Sequence, residues 1–198
     1  MQSLERQADE LNHRACQAIE QGELAQGYAL FQQSLSLLSS ARLSSEELSP
    51  EQLPLALREI RARLSSNLGV VAARMRRFSQ SRQAFLKALV LFEELGNAQQ
   101  VALQHGNLGS VCRDTGDYRR AIEHYHRAEG LLIDASGDET LLADQWSNLA
   151  FAHSQIEQYQ EAIDYFDRAV DVYQRCGNAR KVQLALENIE RLQSRSTP

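Results

Sequence analysis

The chain has 198 residues, enough for one substantial domain or one short array of repeats. Its 21 basic and 26 acidic residues give a net charge of −5, which argues against a nucleic acid or a membrane surface as partner. No apolar run approaches the roughly 20 residues that a membrane-spanning helix needs, and residues 1–11 are too polar for a secretory signal.

The three cysteines, Cys16, Cys112 and Cys176, are far apart, odd in number and without the spacing of metal ligands. We therefore expect a reducing, cytoplasmic setting. Proline occurs only at positions 50, 54 and 198, so nearly the whole length is free to be helical.

Helical hairpins are predicted along the whole chain, as one domain over residues 1–198. The first covers about residues 3–42, and an insert follows at about 43–53, where Ser and Pro predict a loop with a short helical turn. Three more hairpins are predicted at about 54–95, 97–135 and 138–176. A capping helix at about 179–194 repeats the first helix of a unit, and terminal elements of this kind commonly cover the last apolar face of an array.

The hairpin prediction rests on an internal repeat. Segments that begin at Asn67, Asn107 and Asn148 align without gaps, at spacings of 40 and 41 residues. The second helix of each unit has a small, an aromatic and a small residue at i, i+4 and i+7, which places the three on one face. These positions hold Ser81, Phe85 and Ala88, then Ala121, Tyr125 and Ala128, then Ala162, Phe166 and Ala169, and, in a weaker first copy, Gly27, Phe31 and Ser34.

The ends of the units are marked by a repeated dipeptide. It occurs as Gly96-Asn97, Gly137-Asp138 and Gly177-Asn178, at spacings of 41 and 40 residues. Glycine tolerates the left-handed turn that ends a helix, and the following Asn or Asp can cap the next one.

The pattern resembles the tetratricopeptide repeat: Leu-Gly, a small residue at Ala72 and Cys112, Gly-Asp-Tyr at 116–118, then the small, aromatic and small positions. The common form of that family has a period of about 34 residues, and the longer period here resembles its long-helix branch, with kinesin light chains and bacterial peptide-sensing regulators. The resemblance implies an all-α fold, an α-solenoid of antiparallel hairpins that curls into a right-handed superhelix. Its first helices are expected to line the concave side.

One stripe on these first helices is the expected peptide-binding groove. Its residues are Arg63, Asn67, Val70 and Arg74, then Leu103, Asn107, Ser110 and Asp114, then Asp144, Asn148, Phe151 and Gln155, and finally Asn188. Asparagine in a helix costs about 0.5 kcal/mol relative to alanine, so four in register need an explanation. The amides can hydrogen-bond the backbone of an extended peptide, as the resemblance implies; alternatively, each bonds a neighbouring helix and holds the array together.

Charge divides the groove. Residues 55–90 are strongly basic, and Arg63 and Arg74 are expected to bind an acidic side chain or a C-terminal carboxylate. Asp114 and Asp144 are expected to prefer a basic partner. The family's carboxylate clamp for chaperone tails is incomplete, because Ser66, Val70 and Asp144 stand at its positions.

No enzyme is predicted, and neither a metal nor a cofactor. His124 and His126 point to different helix faces, so they cannot easily share a metal. His105 and His153 are interpreted as core histidines, and Cys112 as a buried, inert thiol.

Two functions remain open, and a third, a ligand-sensing regulator as in the peptide-sensing relatives, would need an effector domain supplied by a partner. The first is a non-enzymatic adaptor that binds a segment of another protein in the groove. The second is a self-assembling scaffold, a homo-oligomer joined through its terminal repeats, for which an uncapped apolar face on Val182, Leu186 or Ile189 would be the contact.

Overall fold

A computed structural model describes residues 2–40, 42–43, 46–47, 54–134 and 138–196. The chain divides into two compact units, Met1–Asn97 and Ala98–Pro198, each with helices that pack on their neighbours in sequence. The described residues form nine α-helices and one pair of very short strands, which confirms the predicted all-α solenoid class of helical hairpins.

The first unit contains four helices, α1 (Gln2–Glu20), α2 (Leu24–Ser39), α3 (Leu55–Arg74) and α4 (Phe78–Glu94). Between α2 and α3, β1 (Arg42–Leu43) pairs antiparallel with β2 (Glu46–Glu47). We expected a loop with a short helical turn in this insert, but at these residues the backbone is extended. Only two residues separate the strands, so their backbone groups bond to each other in hairpin fashion. Residues 44–45 and 48–53 of the insert lie outside the described part.

The second unit contains five helices, α5 (Ala98–Asp114), α6 (Tyr118–Asp134), α7 (Glu139–Gln155), α8 (Tyr159–Arg175) and α9 (Ala179–Ser196). Each packs against the next, and α5 also touches α7. The turns that the structure describes here are three residues long, which forces successive helices to run antiparallel.

The turns between helices use the left-handed backbone conformation. Gly96 and Gly177 have φ of +66° and +68°, which confirms the role predicted for glycine there, while Gly137 lies outside the described residues. The capping prediction is also confirmed: Asp138 accepts hydrogen bonds from the backbone N–H groups of Thr140 and Leu141, at 2.8 and 3.4 Å.

The turn inside each hairpin also contains a residue in the left-handed conformation, but this residue is not always a glycine. Gly116 has φ of +80° between α5 and α6. The residues at the equivalent position are Arg76 between α3 and α4, with φ of 58°, and Glu157 between α7 and α8, with φ of 63°. A side chain in this region is strained, because its Cβ crowds the following carbonyl.

The predicted stripe of small, aromatic and small residues is the core of every hairpin. Phe31, Phe85, Tyr125 and Phe166 are all buried, and so are the small residues four before and three after each of them. Hydroxyl groups in the stripe are satisfied: Ser34 donates to the carbonyl of Ala8, and Ser81 to that of Gly69 at 2.8 Å.

In the hairpins of α3 and α5, the aromatic ring sits directly on the backbone of the first helix. A Cβ added to Gly69 would lie 2.6 Å from the Phe85 ring, and one added to Gly109 would lie 2.5 Å from the Tyr125 ring. Ala150 occupies the same position on α7 and packs in one cluster with Phe166. This contact therefore fixes the spacing between the two helices of a hairpin.

We expect replacement of Glu157 with glycine to stabilise the protein. Glycine removes the strain of the left-handed conformation, and after its larger loss of chain entropy the net gain should be about 0.5–1 kcal/mol. Urea unfolding measures the change. Glu157→Ala is the control, since it removes the same charge but keeps the Cβ; an equal gain in both variants would contradict the explanation.

Two glycine-to-alanine changes within the second unit should have opposite effects. Gly109→Ala places a methyl group inside the Tyr125 contact and should lower the free energy of unfolding by about 1–3 kcal/mol. Gly130→Ala meets nothing within 4 Å on α6 and should raise it by about 0.5–1 kcal/mol. Thermal unfolding of both variants checks the prediction, which fails if Gly109→Ala is neutral.

Candidate functional site

In the first unit, the predicted stripe lies on the surface of α3. Arg63, Val70 and Arg74 are exposed and Asn67 is half-buried. The Asn67 amide Nδ2 donates to Oδ1 of Asn12 on α1, at 3.3 Å. This Asn thus makes the contact to a neighbouring helix that we considered as the alternative to peptide binding.

In the second unit, the stripe begins on α5. Leu103, Asn107 and Ser110 are half-buried and Asp114 is exposed. The Ser110 hydroxyl donates to the carbonyl of Gly106 at 3.1 Å and lies 3.3 Å from the Tyr125 hydroxyl. Burial raises the pKa of the Tyr125 hydroxyl above its ordinary value.

Asn107 differs from the other three asparagines. Within the described residues, its side-chain amide has no hydrogen-bond partner. Because a half-buried amide without a protein partner retains donor and acceptor capacity, Asn107 is the member of the ladder most available to a ligand.

Arg113 connects α5 to α7 and was missed in the sequence analysis. Its guanidinium bonds Asp114 at 2.9 Å and donates to Oδ1 of Asn148 at 3.3 Å. The same group lies over the ring of Phe151, 6.0 Å from its centroid. The signal in the sequence was its position next to Asp114, within the last turn of α5.

Asp144 is neutralised within the chain. Its Oδ1 accepts hydrogen bonds from the Tyr173 hydroxyl at 2.7 Å and from Nζ of Lys181 on α9 at 2.5 Å. Asp114 is similarly paired with Arg113. The basic partner that we expected for both aspartates is therefore supplied, at least in part, by the protein itself.

The stripe ends in a small basic cavity between α7 and α9. It has a volume of about 190 Å³, and the residues that line it include Phe151, Gln155, Asn188, Arg191 and Arg195. Asn188 donates to the carbonyl of Leu184 in its own helix, at 2.8 Å. In the described part of the chain, neither arginine forms an ion pair. The second unit thus has two arginines beside a cavity, in addition to Arg63 and Arg74, where the sequence suggested an anionic group.

The histidines make packing contacts. His105 and His153 are buried, as expected for core residues. His105 Nδ1 lies 3.2 Å from Nδ1 of His124, and burial, with His124 and Arg127 nearby, lowers the pKa of His105 to about 4.

A second group of rings surrounds Glu129. The carboxylate contacts Nδ1 of His126 at 3.0 Å and accepts a hydrogen bond from the Trp146 indole at 2.7 Å. The contact with His126 is the main cause that holds the pKa of Glu129 below its ordinary value, against the effect of burial. His153 stacks on Tyr165 nearby.

The described residues lack the features of two other kinds of site. Their His, Cys, Asp and Glu side chains form no group of three or more that could hold a metal ion. None of their helices has the length and apolar character needed to cross a bilayer.

This chain is a helical-repeat protein, because its hairpins share one register and, within each unit, pack on one another. Residues 60–133 and 143–176, together more than half of the chain, match family models of the tetratricopeptide repeat. The chain belongs to the tetratricopeptide repeat family, whose members generally mediate protein–protein interactions.

Two curated relatives share part of the sequence. Over 106 residues the chain is 31% identical to Cell division cycle protein 16 homolog of Homo sapiens and to that of Mus musculus. The match includes 52% of this chain but only 16% of each relative.

Solved structures share the fold at low identity. Aspartyl phosphate phosphatase F from Bacillus subtilis has a TM-score of 0.78 and 14% identity, over 96% of this chain and 45% of that one. A Rap protein complexed with competence and sporulation factor has a TM-score of 0.67 and 12% identity, over 92% and 46%. The nearly identical TPR-like repeats of a kinesin light chain from Podosopora anserina have a TM-score of 0.68 and 12% identity, over 100% and 99%.

We expect acid to destabilise the protein partly through His105. The pKa of His105 is about 4 in the folded chain and 6.5 for an ordinary histidine, so the unfolded state binds the proton more readily. Its contribution is complete above about pH 6.5 and is lost as the pH falls towards 4.

Urea unfolding at pH 7 and pH 4.5 measures this effect. The wild type should lose about 2 kcal/mol more between the two pH values than His105→Gln, which cannot titrate. Equal losses in the two proteins would show that His105 is not the responsible group.

Proposed function

We propose that this protein is a non-enzymatic adaptor that binds an extended segment of a partner protein. The binding surface is the stripe formed by α5, α7 and α9 in the second unit, and the α3 stripe of the first unit offers similar groups. The observation that carries the proposal is the surface's composition: half-buried amides and hydroxyls beside an exposed aromatic ring and a basic cavity.

The stripe of the second unit is continuous. Arg113 of α5 bonds Asn148 of α7, and Asp144 of α7 bonds Lys181 of α9. These contacts link stripe residues of α7 to the first-type helices α5 and α9. A partner segment that crosses them therefore meets a pre-ordered surface, which lowers the entropic cost of binding.

Each group on the stripe suits one feature of an extended peptide. The free amide of Asn107 can donate to a backbone carbonyl and accept from a backbone N–H. The ring of Phe151, which is 41% exposed, offers apolar contact. Arg191 and Arg195 can bind an acidic side chain or a terminal carboxylate with charge-assisted hydrogen bonds.

Similarity to other proteins supports the proposal at the level of the fold. One neighbour was solved as a complex with competence and sporulation factor. The sequence relatives named for cell division cycle protein 16 share only a segment with this chain. We further propose a cytoplasmic setting, which the three free cysteines support.

The self-assembly alternative loses part of its basis. Ile189 is buried in the core between α8 and α9, and Val182 is half-buried against it. The reason is that α8 already covers this side of α9. Only Leu186 of the three expected residues remains exposed.

We expect the double variant Asn107→Ala and Asn148→Ala to lose partner binding while it keeps its helicity and melting temperature. Among the described residues Asn148 makes one hydrogen bond, with Arg113 at 3.3 Å, so its loss should cost about 1 kcal/mol. Affinity capture from the native lysate, with mass spectrometry, compares this variant with the wild type.

The matched control is Gln160→Ala with Glu161→Ala, two exposed residues of α8 that lie off the stripe. It should capture the same proteins as the wild type. If the asparagine variant also captures them in equal amounts, the stripe is not the binding surface.

A further inference from the structure

The outer side of α9 carries a second surface, distinct from the stripe. A cavity of about 570 Å³ lies there between α9 and the end of α8. Its lining includes the apolar residues Tyr173, Val182 and Leu186 and the carboxylates of Glu187 and Glu190. Leu186 is 43% exposed.

The equivalent positions in the other hairpins show what normally covers this side of a first helix. On α7 the corresponding residues are Ala143, Trp146 and Ala150, which pack with residues of α8. On α5 they are Ala102, His105 and Gly109, all buried, with Gly109 against the Tyr125 ring of α6. Forty residues after the α7 set, α9 has Gln183, Leu186 and Glu190. Among the described residues of this unit, no helix covers them.

The side chains on α9 exclude a helix packed in the usual way. Glu190 stands at the position that is glycine or alanine in the other hairpins. At Gly109, which is the equivalent position on α5, the aromatic ring leaves no room even for a Cβ. A carboxylate cannot be buried under an aromatic ring without a partner charge. A helix seated on this face must therefore stand further off and bring positive groups to the carboxylates.

Among the described residues, the two carboxylates have no positive partner. Glu187 accepts a hydrogen bond from the Gln183 amide at 3.1 Å. In the described residues, neither Glu187 nor Glu190 forms an ion pair. A face that only keeps the protein soluble would not need the exposed Leu186 or the apolar residues beside it.

We propose that the outer face of α9 is a docking site for a basic amphipathic helix of a partner protein. The partner's apolar side lies over Leu186 and Val182, and its lysines or arginines pair with Glu187 and Glu190. This site is independent of the peptide-binding stripe, so either can fail without the other.

The test uses two fluorescent 17-residue peptides that copy α8, the helix that covers the same face of α7. In one, every Asp and Glu is replaced with lysine; in the other, every Asp is replaced with glutamate. Anisotropy with the full chain at low salt should show about ten-fold tighter binding of the lysine peptide. Leu186→Asp should weaken that binding at least ten-fold.

Charge reversal separates this site from general attraction. Glu187→Lys with Glu190→Lys should reverse the peptide preference, whereas Glu10→Lys with Glu20→Lys, the same charge change on exposed positions of α1, should preserve it. Circular dichroism confirms that each variant is folded. Equal effects of the two double variants, or no effect of Leu186→Asp, would overturn the proposal. So would a concentration-dependent dimer in light scattering that Leu186→Asp dissolves, since the face would then belong to a second copy.

Discussion

The contact that organises this protein is an aromatic ring of the second helix placed on a glycine or alanine of the first. In the hairpins of α3 and α5, the ring lies so close that even a Cβ would collide with it. That distance sets the separation of the two helices and brings the small residues on either side of the ring into the core. This spacing also fixes where the backbone of each first helix lies, and with it the positions that carry the polar stripe.

This contact explains why the core could be predicted from the sequence. A residue that must fit one steric slot recurs at the same place in each copy, so Phe85, Tyr125 and Phe166 were visible as a pattern. The hairpin turns were harder to predict from the sequence, because the turn requires a positive φ angle and not a side chain of a particular size. Gly116 satisfies it without strain, whereas Arg76 and Glu157 adopt the same conformation and leave no glycine to read.

The surface residues were predicted less completely than the core. The register placed four asparagines at one position, but what each contacts depends on a neighbour that the repeat does not specify. Asn67 meets Asn12, Asn148 meets Arg113 and Asn188 bonds its own helix. Arg113 was missed because it lies one position off the stripe, and the pairing of Asp144 with Lys181 joins residues 37 apart. Such contacts require the three-dimensional arrangement.

The packing rule changes at α9, where Glu190 stands in place of the glycine or alanine of the other first helices. If Glu190 served only solubility, the neighbouring positions would be expected to be polar as well, since an exposed apolar residue adds nothing to a cap. Instead Leu186 keeps the apolar character of the register, while Glu190 prevents the close approach that a further hairpin would need. Attraction by apolar contact and exclusion by charge act together on one face. Such a combination discriminates between helices, because it admits a basic one and rejects the array's own acidic second helix, α8.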